Sequence, residues 1–132
     1  MGGFQNFEDI QAWQIAMDLF TRLHGLLQGS QSHGYFWLRD QILKASLSIC
    51  NNIAEGFGRG SDQEFARFLT YSKGSAVEVL SCLKACERIG FLPQATTIEL
   101  EGLTQRCIQV ISKLQAYLDP TRTREADHAY DA

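Results

Sequence analysis

The fold is decided by Ser48-Ile49-Cys50-Asn51-Asn52-Ile53-Ala54-Glu55-Gly56-Phe57-Gly58-Arg59, which is followed by Gly60-Ser61-Asp62-Gln63-Glu64-Phe65. The glycines indicate the end of one helix, since glycine accepts the left-handed conformation that closes a helix. Ser61 with Glu64 three residues later has the spacing of a capping box, which begins the next helix. The stretch therefore predicts two helices joined by a tight turn.

The helix that ends at these glycines has two apolar faces. One face consists of Leu38, Ile42, Ile49 and Ile53, and the other of Leu43, Leu47, Cys50 and Ala54. A helix that is apolar on two faces has two surfaces to bury. We therefore expect the second face to form the interface between the subunits of an oligomer.

A polar stripe lies beside the first apolar face. On a helical wheel it contains Gln41, Ser48, Asn52, Glu55 and Arg59, with Ala45 on the same stripe. We expect these side chains to form a structural network with Ser75 and Glu78 of the following helix, because polar groups withdrawn from water must be paired. The alternative is a ligand pocket at a subunit boundary, since a carboxylate with a charged partner in a cleft also marks functional sites.

Apolar residues at spacings of three and four predict four helices, at about 7–28, 36–57, 62–89 and 94–118. Asn6 is expected to cap the first helix. The predicted fold is all-α, an antiparallel up-and-down four-helix bundle. It occupies residues 7–118, after a short lead of residues 1–6. Residues 119–132 form a polar tail with too little apolar content to fold.

Composition limits the functional classes. The chain has 132 residues and a formal net charge of −3, so there is no global positive field to attract phosphates. No signal peptide or membrane span is apparent, and we expect a cytoplasmic protein without a membrane partner. Four cysteines at positions 50, 82, 86 and 107 are then reduced residues of the core or an interface.

Several sequence patterns resemble catalytic or ligand-binding motifs, but each favours a structural role. The loop Gly56–Gly60 could hold a phosphate, but its spacing is that of neither phosphate-binding motif and a helix precedes it. Cys82 and Cys86 lack a second pair of metal ligands. The pair Glu125 and His128 occurs once, whereas a di-metal bundle needs two such motifs. His24 and His33 have no identifiable partner. We therefore predict no enzyme activity, no metal and no cofactor.

A family resemblance rests on the same stretch. Residues Ser48–Arg59, with Ser61, Glu64-Phe65, Phe68-Leu69, Gly74-Ser75 and Glu78, closely resemble the four-helix-bundle family of proteins encoded by intervening sequences of bacterial 23S ribosomal RNA genes. The opening from Phe7 to Ala16 is similar too. The accessory variability protein of phage diversity-generating retroelements looks like a relative. The resemblance implies a four-helix bundle, often in a ring of five subunits, and no settled activity.

Nucleic-acid binding is the alternative function, because these relatives are tied to ribosomal RNA genes or to a reverse transcriptase. The candidate contacts are Arg59, Arg67 and Lys73. Positive and negative charges between residues 39 and 73 nearly cancel, which weakens the case for nucleic-acid binding. We therefore expect a scaffold or binding module that forms a ring, favoured as a homopentamer, with an unidentified protein or nucleic-acid partner.

Overall fold

The computed structural model describes residues 3–29 and 34–121. A short 3-10 turn at Phe7–Asp9 precedes four α-helices, α1 (Gln11–Leu26), α2 (Phe36–Gly58), α3 (Asp62–Arg88) and α4 (Gln94–Leu118). The described ranges contain no β-strand. The predicted all-α, four-helix fold is confirmed, and the bounds of α2 to α4 differ from the predicted ones by one residue or less.

The first helix begins differently from the prediction. Asp9 accepts a hydrogen bond from the Asn6 backbone N–H at 3.2 Å, and this contact closes the 3-10 turn. Ile10 is extended, with φ −79° and ψ 120°, so α1 starts at Gln11 instead of Phe7. The i, i+3 spacing of Phe7 and Ile10 suits either helix type, which is why the wheel did not separate them.

The core runs the length of the bundle and receives large side chains from all four helices. Its fully buried members include Leu19, Leu23, Ile42, Ile49, Ile53, Phe65, Leu69, Leu83, Leu100 and Ile111. Ile10 and Leu27 lie just outside α1 and are buried as well. Each helix therefore buries one apolar face in the core, as an amphipathic pattern requires.

Each helix packs against the next one in sequence, and α1 also packs against α4. The most extensive of these interfaces is the one between α2 and α3. Polar contacts also join α4 to its two neighbours: Arg22 on α1 pairs with Glu99, and Gln115 donates to the Ala66 carbonyl on α3 at 2.9 Å. A groove with polar walls lies on the α2–α3 interface.

The two turns that flank α3 depend on glycine. Gly60 has φ +84° and Gly90 has φ +78°, a region that L side chains rarely adopt. After Gly90, the N–H of Phe91 donates to the Cys86 carbonyl at 2.9 Å, and the Phe91 ring stacks on Tyr35 with centroids 4.7 Å apart. This stack ties the start of α2 to the turn between α3 and α4. The predicted tail lies outside the described residues from position 122 onward.

Candidate functional site

A row of hydrogen bonds joins the polar stripe of α2 to α3. The amide of Gln41 donates to Glu78 at 2.8 Å, and the hydroxyls of Ser48 and Ser75 are 2.9 Å apart. The Asn52 amide donates to the carbonyl and to the hydroxyl of Ser48, at 2.9 and 3.1 Å. Five of the seven residues predicted for this network are thus brought together along one interface.

Glu55 and Arg59 lie apart from that row. Their side chains pair with each other at 3.1 Å, one turn apart on α2, and each is about half exposed, at 55% and 47%. The expected contact of Glu55 with α3 is not formed. The wheel placed Glu55 on the stripe, but the shift of about 60° from Asn52 is enough to turn its carboxylate toward solvent.

The row of hydrogen bonds lines a groove of about 290 Å³, which we call the polar groove. Its residues are Gln41, Lys44, Ala45, Ser48, Ser75 and Glu78. Ala45 was on the predicted stripe, whereas Lys44 was not among the predicted site residues, although it precedes Ser48 by one helical turn. Across the groove the Gln41 amide binds the Glu78 carboxylate and the two serine hydroxyls bind each other, an arrangement that suits a structural network.

Gly56 explains why α2 and α3 come so close below the groove. It is buried inside α2, and a Cβ built on it would lie 2.6 Å from the Phe68 Cβ. Ser72, also buried, donates to the Ile49 carbonyl at 2.8 Å across the same interface. Sequence reasoning assigned Gly56 to helix termination, but that role belongs to Gly60. Gly56 instead leaves room for Phe65 and Phe68 of α3.

The same end of the bundle holds two of the three predicted nucleic-acid contacts. The guanidinium groups of Arg59 and Arg67 lie 4.8 and 5.1 Å from the ring centre of Phe68. Arg67 also donates to Glu64 at 2.6 Å and to the Tyr71 hydroxyl at 3.0 Å. The hydrogen bond that Arg67 donates to Glu64 raises the pKa of Arg67 above its usual value. We call these residues, with Glu64, the arginine cluster.

Lys73 does not belong to this surface. Its side chain is only 3% exposed, so the prediction that it contacts a nucleic acid is wrong. A lysine can bury its long stem when its ammonium finds a partner, which a count of charges along the sequence does not reveal.

The loop from Gly56 to Gly60 ends one helix and begins the next. The Ser61 hydroxyl accepts from the Glu64 N–H at 3.1 Å, which caps α3. The Glu64 carboxylate binds Arg67. The cap therefore uses one of the N–H groups at the start of α3 that a phosphate would need.

A sequence profile described as 23S rRNA-intervening sequence protein matches residues 8–113. The chain belongs to this family. No protein of curated function matches it significantly. The matched residues include α1 to α3 entirely and most of α4, so the polar groove and the arginine cluster both lie within the family's domain.

In this member of the 23S rRNA-intervening sequence protein family, the cysteines lie in or beside the core. Burial raises the pKa of Cys50 and of Cys86 to about 11, and burial followed by the neighbouring Cys50 raises that of Cys107 to about 12. Cys82 is half-buried, and burial followed by Glu78 raises its pKa as well. Raised values favour the thiol over the nucleophilic thiolate.

Within the described ranges, no three potential metal ligands of the His, Cys, Asp and Glu types come together. His24 is close to Phe20, with ring centroids 6.3 Å apart. His33, Glu125 and His128 lie outside the described residues. No helix in the part of the chain that the structure describes has the length and apolarity needed to cross a bilayer.

The second apolar face of α2 is only partly covered. Leu43, Leu47 and Ala54 are half-buried at the edge of the helix that faces away from α3. Cys50 is fully buried, and its assignment to a subunit interface is therefore wrong. On a wheel Cys50 lies closer to the core direction than the other three, and the core of the same chain covers it.

The adjacent flank of α1 adds three large apolar side chains. Trp13, Met17 and Phe20 are half-buried. They lie on the side of α1 opposite Arg22, which pairs with α4, and so border α2. We call the six half-buried residues the apolar seam: Trp13, Met17, Phe20, Leu43, Leu47 and Ala54. Bulky residues occur on three flanks of α1, and this was the signal in the sequence that not all of them can face the core.

Proposed function

We propose that this protein is a non-enzymatic cytoplasmic scaffold that assembles into a cyclic homo-oligomer through the apolar seam. The observation that carries the proposal is the seam itself, since α1 and α2 pack against each other and each leaves three apolar side chains only half-buried. Monomeric proteins rarely expose large surfaces of this kind. Five subunits is the expected number, because the family resemblance implies a ring of five.

The proposed subunit is an antiparallel up-and-down bundle. Support comes from the order of the contacts across the α2–α3 interface, where Gln41 meets Glu78 and Ser48 meets Ser75. Between α3 and α4, Lys84 pairs with Glu101 and Ala66 meets Gln115. In both interfaces, residue numbers fall on one helix as they rise on the other. Short connections between long helices favour the same arrangement.

The non-enzymatic part of the proposal is supported by the thiols. A nucleophilic cysteine needs a lowered pKa, whereas burial moves those of Cys50, Cys86 and Cys107 upward. The carboxylates Glu55, Glu64 and Glu78 each have a hydrogen-bond donor on a neighbouring side chain. These groups are placed to hold structure, as in the polar groove.

Light scattering coupled to gel filtration tests the assembly. We expect a mass about five times the 14.8 kDa of the chain. Leu47→Glu places a charge in the apolar seam and should reduce the mass toward that of the monomer, because an unpaired charge in an apolar interface is costly. Gln105→Glu adds the same charge at an exposed position of α4, away from the seam, and should leave the assembly intact. A parent protein that elutes as a 14.8 kDa monomer at micromolar concentration would refute the proposal.

Binding to RNA or DNA is a second candidate function, favoured by the arginine cluster and by the family's link to ribosomal RNA genes. The Arg67 guanidinium beside exposed Tyr71, with Arg59 over Phe68, resembles a surface that stacks bases. The cluster contains Glu64, however, and Arg59 is paired with Glu55, so its positive charge is largely neutralised. A net charge of −3 weakens nonspecific binding further.

Titration with labelled single- and double-stranded RNA and DNA tests this candidate. We expect dissociation constants weaker than roughly 10⁻⁵ M near physiological salt. Submicromolar binding that weakens steeply with salt, and that Arg59→Ala combined with Arg67→Ala abolishes, would establish nucleic-acid binding instead. The matched control replaces Lys44 and Arg88 by Ala, which removes two positive charges elsewhere on the surface.

A further inference from the structure

A second groove lies on the other side of α1, between its start and the last turns of α4. It has a volume of about 480 Å³. Its floor is apolar, and its polar residues are two glutamines and two cations. The lining residues are Phe4, Ile10, Gln11, Ala12, Arg106, Gln109, Val110, Lys113 and Leu114. We call it the cationic groove.

The two cations of this groove have no counter-ion among the residues that the structure describes. Arg106 and Lys113 form no ion pair within the described part of the chain, whereas Arg22, Arg59 and Arg67 are each paired with a glutamate. None of the nine lining residues is acidic. The groove is therefore locally positive on a chain whose net charge is −3.

The spacing of the charges fits a molecule that lies along α4. Arg106 and Lys113 are seven residues apart, which is two helical turns and roughly 10 Å at ~1.5 Å per residue. Val110 and Leu114 lie on the same face and contribute to the apolar floor. Small-molecule sites commonly have volumes of about 300–1,000 Å³, with mostly apolar walls and a few polar groups that orient the ligand.

We infer that the cationic groove binds a small organic anion with an apolar body, of the medium-chain carboxylate class. The guanidinium of Arg106 can hold a carboxylate through two parallel hydrogen bonds, and the Lys113 ammonium adds a point charge. The alkyl body lies over Ile10, Val110 and Leu114. The site is separate from the apolar seam, because the two surfaces lie on opposite flanks of α1.

Isothermal titration with decanoate tests the inference. A ligand of this size is expected to bind with a dissociation constant of roughly 1 mM or tighter. Decyltrimethylammonium has a similar alkyl body and the opposite charge, and it should bind at least about tenfold more weakly because both cations of the groove repel it. Replacing Arg106 and Lys113 by Gln should weaken decanoate binding by about tenfold or more.

The matched control is Lys44→Gln combined with Arg88→Gln. These two exposed cations also lack an ion pair within the described ranges, so the control removes the same charge at other places. Its decanoate affinity should equal that of the parent. Three results would each overturn the inference. They are equal affinity for decanoate and decyltrimethylammonium, an equal loss of decanoate affinity in both double variants, and no saturable decanoate binding below about 10 mM. Light scattering on the same samples shows whether the assembly is intact and keeps this test independent of the proposed ring.

Discussion

Replacing Gly56 by Ala should destabilise the protein because the new methyl group has no room. The Cβ would lie 2.6 Å from the Phe68 Cβ and 3.2 Å from the Phe65 ring. Ordinary carbon contacts need about 3.5–4.0 Å, and a Cβ is fixed to its backbone, so α2 and α3 must separate by about 1 Å. That movement also stretches the 2.8 Å hydrogen bond from Ser72 to the Ile49 carbonyl. Overpacking of this kind costs about 1–3 kcal/mol.

The matched control is Gly58→Ala, two residues later on the same helix. A Cβ at Gly58 meets nothing within 4 Å, so this variant should gain about 0.5–1 kcal/mol from the helix preference of alanine. Urea unfolding at one fixed protein concentration measures both variants, since an oligomer's stability depends on concentration. A Gly56→Ala protein as stable as the parent would refute the close approach of the two helices.

Three further outcomes follow from the same contacts. Asn52→Ala should lower the free energy of unfolding in urea by about 0.5–1.5 kcal/mol, because the Asn52 amide donates to Ser48. Glu55→Ala should lower it by at most about 0.5 kcal/mol, because the ion pair of Glu55 is exposed. Equal losses in the two variants would contradict this. A thiol reagent should label half-buried Cys82 first, and faster labelling of Cys107 would show that the core is open. Since burial raises the pKa of Cys107 from 9.0 to about 12, the folded state keeps its proton while the unfolded thiol ionises. Stability from this group is complete below pH 9 and falls toward pH 12, by up to about 1.4 kcal/mol per pH unit, and Cys107→Ala should make the decline shallower in thermal melts.

The helices could be predicted from the sequence because their ends carry strong local signals. Gly60 with Ser61 separates α2 from α3, and Gly90 with Pro93 separates α3 from α4. Turn chemistry of this kind depends on a few adjacent residues and not on the rest of the fold. The beginning of α1 lacks such a signal, since the same residues suit a 3-10 turn and an α-helix equally well.

The candidate site was predictable only in part, because a helical wheel gives directions but not the positions of neighbouring helices. It placed Gln41, Ser48 and Asn52 on one face, and the α2–α3 hydrogen bonds are consistent with that face. It could not show that Cys50 is covered by the core of its own chain. The role of Gly56 was equally hidden, since close helix packing depends on a side chain twelve residues away on α3.

These contacts divide the bundle into two parts with different tasks. The α2–α3 pair has a buried glycine contact and several hydrogen bonds between helices, which fix its register. Within the described ranges, α1 has one ion pair to α4 and otherwise packs through apolar side chains. Both partly uncovered surfaces, the apolar seam and the cationic groove, border α1. The α2–α3 pair therefore accounts for most of the specific contacts between helices, and the two flanks of α1 carry the surfaces that we propose for assembly and for a ligand.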